Sequence, residues 1–257
     1  MNITYQTALG QRGYQEDRYI AERLVLPNGH DTLTVLAVMD GHGGSETSEF
    51  LSKSFISVLA KIAIDPKPEL PNWRETLAIT MTLLGEMTKT KQSGSTVSAV
   101  FLPSVEQKAY VAVVGDSPVI IKDSEGNINV SPEHNARSNA RERDAAISRG
   151  ASFDGTYLYS PESGHGLQMS RAFGDSSLAS FIDRTPELYT VDLNQDSFVV
   201  VATDGLLDPS HATTEKQASR IANLVNNGAD ANALVEDALL RQTGDNVTAI
   251  IAKEVLS

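Results

Sequence analysis

Apolar, β-branched runs that end on an aspartate constrain this chain more than any other feature. Leu36-Ala37-Val38-Met39 runs into Asp40-Gly41, Ala112-Val113-Val114-Gly115 into Asp116, and Val200-Val201-Ala202-Thr203 into Asp204-Gly205. Asp245 stands just before another apolar run, Val247–Ala252. Such runs predict strands covered on both faces. Antiparallel pairing sets the end of one strand beside the start of the next, so Asp40, Asp116, Asp204 and Asp245 are expected at one rim. Carboxylates packed together raise each other's pKa values, a conflict that cations resolve. There is no cysteine, which closes thiolate ligation and cysteinyl-phosphate chemistry. Oxygen donors alone favour hard ions: Mg²⁺, Mn²⁺ or Ca²⁺. One Asp-Gly would read as a strand-end turn; its recurrence on buried strands favours ligation. Gly41 and Gly205 are read as permitting close backbone approach and φ > 0.

Further strands are expected at Thr32–Met39, Val97–Leu102, Tyr110–Val114, Val119–Lys122 and Phe198–Ala202, with a hairpin through Glu125-Gly126-Asn127 to Ile128–Val130. Helical periodicity marks two pairs. Ser45–Ile64 and Trp73–Lys89 are separated by the proline-broken Asp65–Pro68, and Thr214–Asn227 and Ala231–Thr243 by Asn226-Asn227-Gly228. Their apolar stripes read as core. Strand runs followed by helix pairs predict an α+β layered fold with antiparallel sheets. The polar segment Pro132–His165, with Arg137, Arg141, Arg143 and Arg149 and one short helix, reads as an insertion within a single domain, 1–257.

Other residues suit phosphate. Asp40-Gly41-His42-Gly43-Gly44 puts a histidine in a glycine-rich loop that opens a helix, where anions are favoured and a proton donor is useful. Arg12 lies close in sequence to Glu16 and Asp17, and an arginine fork matches phosphate oxygens; the alternative is a surface ion cluster. With 21 basic and 33 acidic residues the formal charge is −12, which argues against nucleic-acid partners. No run is long and apolar enough to predict a membrane span, and Met1–Gln6 resembles no secretory signal. A cytoplasmic monomer is the expectation.

The motifs resemble, in order and over nearly the whole chain, those of the metal-dependent protein phosphatases of the PPM family (type 2C). They are Arg12…Glu16-Asp17, Asp40–Gly44, Ser93–Thr96, Gly115–Ser117, Ser170–Asp175, Ala202–Asp208 and Gly244–Thr248. The resemblance implies a central antiparallel β-sandwich flanked by helix pairs, with two Mn²⁺ or Mg²⁺ ions and a weaker third. It implies that Asp40 bridges the ions, that Asp204 and Asp245 hold the first, and that Glu16 and the Gly41 carbonyl serve the second, with Asp17 close by. Asp116 and Asp208, with Asp204, would hold the third. Arg12 would bind the substrate phosphate, His42 would be the general acid, and residues 132–165 would form a flap beside the cleft. Ser170–Asp175 is read as loop support. Gln15 and Leu207 depart from common family residues, and the flap departs most.

The reaction so implied is hydrolysis of phosphoserine and phosphothreonine in proteins by a metal-activated water, without a phospho-enzyme. Two other readings are a non-catalytic phosphoprotein binder, which should have lost a ligand, and a metal-dependent hydrolase of small phosphate esters or of nucleic acid, the last opposed by the net charge.

Overall fold

The apolar runs become two five-stranded antiparallel sheets. A computed structural model describes residues 1–63, 71–162, 164–207 and 213–253. The first sheet has the order β1 (Asn2–Ala8), β16 (Val247–Lys253), β15 (Phe198–Ala202), β8 (Val119–Lys122), β9 (Ile128–Val130). The second runs β14 (Glu187–Asp192), β7 (Lys108–Val114), β6 (Val97–Pro103), β3 (Thr32–Met39), β2 (Arg18–Val25).

Alternation along each strand feeds two cores at once. Leu36 and Val38 of β3 point between the sheets, where they meet Val199, Val201 and Ile250. Val35 and Ala37 point the other way, into α1 (Glu46–Ala63) and α2 (Trp73–Thr88), against Leu51, Phe55 and Leu77. The first sheet treats α4 (Thr214–Asn226) and α5 (Ala231–Leu240) likewise, with Val200 and Ile251 against Ile221 and Leu234. The result is four layers, α-β-β-α, which is the expected α+β sandwich. No helix among the described residues is long and apolar enough to cross a membrane.

Two differences from the sequence reading have clear causes. α5 stops at Leu240, three residues before the expected Thr243, because Gln242 adopts φ 61° and Thr243 N–H turns back to the Ala238 carbonyl. That is the left-handed helix stop usually filled by glycine. Strands β1, β2 and β14 are also present, each at a sheet edge and half-exposed, so none carries a continuous apolar run. The Asp65–Pro68 connection lies outside the described residues.

Smaller elements complete the site. Two-residue strands β4 (Gly41–His42), β5 (Gly94–Ser95) and β13 (Phe173–Gly174) form one ribbon. Segment 132–165 holds α3 (Ala140–Ser148), β10 (Ser152–Phe153) and β11 (Leu158–Tyr159), the last paired to β12 (Gly166–Leu167). It packs on its own small core, which includes Ala146, Leu158 and Phe181. A buried ion pair pins α3: Arg171 Nη2 and Nε donate to Glu142 at 2.6 and 3.0 Å, and Ser170 Oγ donates at 2.6 Å. Burial pushes the Glu142 carboxyl up, but these donors outweigh it and hold it down at about 2.

Phe101 is fully buried and packs edge-on against both Phe55 and Trp73, at ring-centroid distances of 6.3 and 6.5 Å. Phe101→Ala is expected to lower stability by about 3–5 kcal/mol in urea unfolding, since neither helix can collapse into the gap without losing the other contact.

Candidate active site

The antiparallel registers bring alternate strand ends to one edge. In the second sheet Arg18 pairs with Met39 and Val97 with Val114; in the first, Ala8 pairs with Val247 and Val201 with Val119. Asp17, Asp40 and Asp116 therefore leave the second sheet at the rim where Asp204 and Asp245 leave the first. Asp40 lies within electrostatic reach of Asp204, Asp17, Asp245 and Asp116 alike. Four expected carboxylates are thus together, and Asp17 joins them. Asp208 lies outside the described residues.

Asp17 clasps the two sheets. Its Oδ2 accepts from Thr203 and Thr248 hydroxyls at 2.9 and 2.7 Å, both on the first sheet's side of the rim. Its Oδ1 is buried with no hydrogen-bond partner. Burial raises the Asp17 carboxyl to about 6 despite those hydroxyls. Asp40 and Asp204 are pushed well above the carboxylate range, first by desolvation and then by their acidic neighbours. Desolvation also raises Asp116, against the 2.9 Å hydrogen bond from Asn135.

The remaining expected residues surround this set. Arg12 Nη2 donates to Asp245 Oδ2 at 2.8 Å, and its Nε to the Gly244 carbonyl at 3.1 Å. Glu16 turns its carboxylate onto the Gly44 N–H at 2.6 Å, so the anion at the glycine loop is supplied by the chain itself. Gly41 and Gly205 both have ordinary negative φ, contrary to the sequence reading; close approach is their function. A Cβ on Gly205 would lie 2.0 Å from the Asn246 carbonyl oxygen.

Three residues have supporting contacts that the sequence did not specify, one of them, Asp175, within the motif read as loop support. Buried Asn246 accepts from Glu16 N–H and donates to the Leu9 and Tyr14 carbonyls, so one amide fixes the whole loop that carries Arg12. Buried His134 accepts the Gly115 N–H at Nδ1 and places Nε2 3.3 Å from Glu187, bracing the residue before Asp116. Asp175, with the rare φ of 50°, sets its carboxylate 2.8 Å from His42 Nε2. That contact requires a glycine opposite, because a Cβ on Gly94 would lie 2.0 Å from His42 Nε2 and 2.1 Å from Asp175 Oδ2. The Ser170–Asp175 motif therefore divides: its first residues hold α3 and its last touches His42. Asn246 was legible in principle as a polar residue next to Asp245. The other two depend on long-range contacts.

Among the described residues, no three carboxylates or imidazoles already stand at metal-holding distances. Instead each takes a protein donor: Asp245 takes Arg12, Asp116 takes Asn135, Glu16 takes Gly44. The set nonetheless fits a divalent cation. Its donors are all oxygen, one buried oxygen has no partner, and a positive charge would relieve the mutual repulsion that raises Asp40 and Asp204.

Beside the rim lies an open groove of about 1030 Å³, lined by Asp116 and Asp204, by Asn135, Arg137 and Arg141 of segment 132–165, and by Glu215 at the start of α4.

The structure thus sets a carboxylate rim on an α-β-β-α sandwich, with an arginine and a histidine at its edge. The family model described as protein phosphatase 2C matches residues 7–247. This chain belongs to that family. An Arabidopsis thaliana relative named probable protein phosphatase 2C 11 is 30% identical over 255 residues, covering 97% of this chain and 65% of its own length. The chain therefore spans about two thirds of that relative. Serine-threonine phosphatase 2C from Toxoplasma gondii shares the fold at TM-score 0.77 and 19% identity, covering 97% of this chain and 93% of that one. The catalytic domain of serine threonine protein phosphatase PstP, solved with two manganese ions, aligns at TM-score 0.59 and 20% identity, covering 98% and 97%.

An acid whose folded pKa is raised keeps its proton longer in the folded chain, so stability falls as pH climbs from the unfolded value through the folded one. For Asp17 the shift from 3.8 to about 6 corresponds to about 3 kcal/mol. Asp40 and Asp204 extend the loss to higher pH. Buried His134, whose pKa is lowered by desolvation, pulls the opposite way below its usual 6.5 but is one group against four, since Asp116 is raised as well. Metal-stripped protein is expected to unfold at lower urea at pH 7.5 than at pH 5, with Mn²⁺ restoring the midpoint at pH 7.5. Equal midpoints without metal would contradict the charge assignment.

Proposed function

We propose that this chain hydrolyses phosphoserine and phosphothreonine monoesters of proteins at a binuclear Mn²⁺ or Mg²⁺ centre, with no covalent phospho-enzyme. The observation that carries this reading is the convergence of Asp17, Asp40, Asp116, Asp204 and Asp245 from two sheets onto one rim. Asp40, the member that feels all the others, would be shared between the ions. Asp204 and Asp245 would hold the first, Glu16 and the Gly41 carbonyl would serve the second with Asp17 beside them, and Asp116 with Asp204 and Asp208 would serve a weaker third. The manganese in PstP supports the choice of ion. The reading extends to phosphoproteins as the substrates.

When bound, the ions supply Lewis acidity and a nucleophilic water at neutral pH. The chain supplies the rest. Arg12 leaves Asp245 and orients the phosphoryl oxygens through its fork; half its side chain is exposed, so it is free to swing. Asp175 fixes the His42 ring through Nε2, and the ring, still partly exposed, is the group that protonates the departing alkoxide. The Asp17 clasp keeps the two halves of the ligand set in register.

Phosphate release from a phosphothreonine peptide should vanish in chelator and return with Mn²⁺. Asp204→Asn should remove turnover by at least about 10³-fold while leaving the circular dichroism spectrum unchanged, since volume is kept and charge is lost. Persistent activity in excess chelator would sink the metal reading. His42→Ala should slow phosphoserine hydrolysis by about 10²–10⁴-fold. It should slow p-nitrophenyl phosphate far less, because that leaving group needs little protonation. Equal losses on both substrates would remove the acid role.

A further inference from the structure

Segment 132–165 carries four arginines, and the structure occupies only two of them. Arg149 donates to the Phe181 and Ser170 carbonyls, and Arg143 lies over the Phe153 ring with its guanidinium 5.5 Å from the centroid. Both are structural. Arg137 and Arg141 are exposed, line the groove, and have no side-chain hydrogen bond or ion pair among the described residues.

Their position is fixed relative to the carboxylate rim. The Asn135 side chain accepts the Arg137 N–H at 3.0 Å and donates to Asp116 Oδ2 at 2.9 Å. One amide therefore separates the Arg137 backbone from a rim carboxylate. Arg141 follows in the first turn of α3, whose positive end adds to the same field. The buried Glu142–Arg171 pair anchors that turn, so the two guanidinium groups project from a rigid base. Glu133, also on the groove, is tied up by Ser138 at 2.5 Å and by the Thr214 hydroxyl. Glu215 stands on the α4 side, which confines the basic wall to the flap side.

We infer that this groove docks phosphopeptides carrying acidic side chains next to the phosphorylated residue, read by Arg137 and Arg141. The inference rests on the phosphatase reading and adds a substrate class to it. Two unpaired guanidinium groups make the flap-side wall locally basic, on a chain of net charge −12 and in a groove whose lining also carries Asp116, Glu133, Asp204 and Glu215. They match carboxylates through two parallel hydrogen bonds. Long-range repulsion would slow such a peptide's approach, and short-range pairing would hold it once bound.

Two peptides separate the possibilities, one with glutamates and one with glutamines around a nonhydrolysable phosphonate analogue of phosphothreonine. Their binding is followed by fluorescence anisotropy with the Mn²⁺-loaded protein. The glutamate peptide should bind about tenfold tighter at low salt, and the advantage should shrink toward unity in 0.5 M salt. In Arg137→Ala/Arg141→Ala the preference should fall to within about twofold, while turnover of p-nitrophenyl phosphate stays at the wild-type rate. Equal affinities in the wild type, or a preference that survives the double substitution, would overturn the proposal. A preference present without turnover of any phosphoester would leave the docking standing and overturn the phosphatase reading instead.

Discussion

Mutual repulsion among half-buried, closely packed carboxylates is the constraint on which this structure turns. Asp40 and Asp204 sit where burial and neighbouring charge both oppose ionisation. A chain that merely folded would not gather acids there. The cost is borne by an extensive apolar frame: three stacked cores hold the strands whose ends carry the aspartates. Because each strand is locked by side chains pointing both ways, a slip of one residue would exchange the faces of a whole strand. The rim geometry is therefore inherited from strand register.

Local devices then refine that register. Asn246 holds the Arg12 loop against the start of β16, His134 braces the backbone before Asp116, and Asp17 bonds across to both threonines of the opposing sheet. Each is buried, and each makes hydrogen bonds to backbone or hydroxyl groups, so that together they set where the acids and the arginine stand. The ribbon of β4, β5 and β13 works similarly for His42, with Gly94 leaving the space in which Asp175 meets the ring.

Much of this was legible in sequence where burial was two-sided. Thr32–Met39 and Phe198–Ala202 are continuous apolar runs and were bounded correctly, because nothing but a central strand uses such a pattern. Arg18–Val25 alternates between half-buried and exposed positions at an edge, so its sequence reads as any polar surface segment. The site followed the same division. Aspartates at strand ends announced themselves by position, whereas the pairing of Asp175 with His42 joins residues 133 apart. Nothing local in Phe173-Gly174-Asp175 signals its partner. The early end of α5 was hidden for a related reason, since Gln242 takes a conformation that its side chain does not favour.

Whether the rim is a cage for divalent ions is settled most directly by where manganese scatters. Crystals grown with Mn²⁺ and measured at its absorption edge should show two strong anomalous peaks, both touching Asp40 oxygens, with Asp204 and Asp245 on one. Arg12 should have turned away from Asp245. Anomalous density confined to surface carboxylates, with no ion between the sheets, would contradict the account.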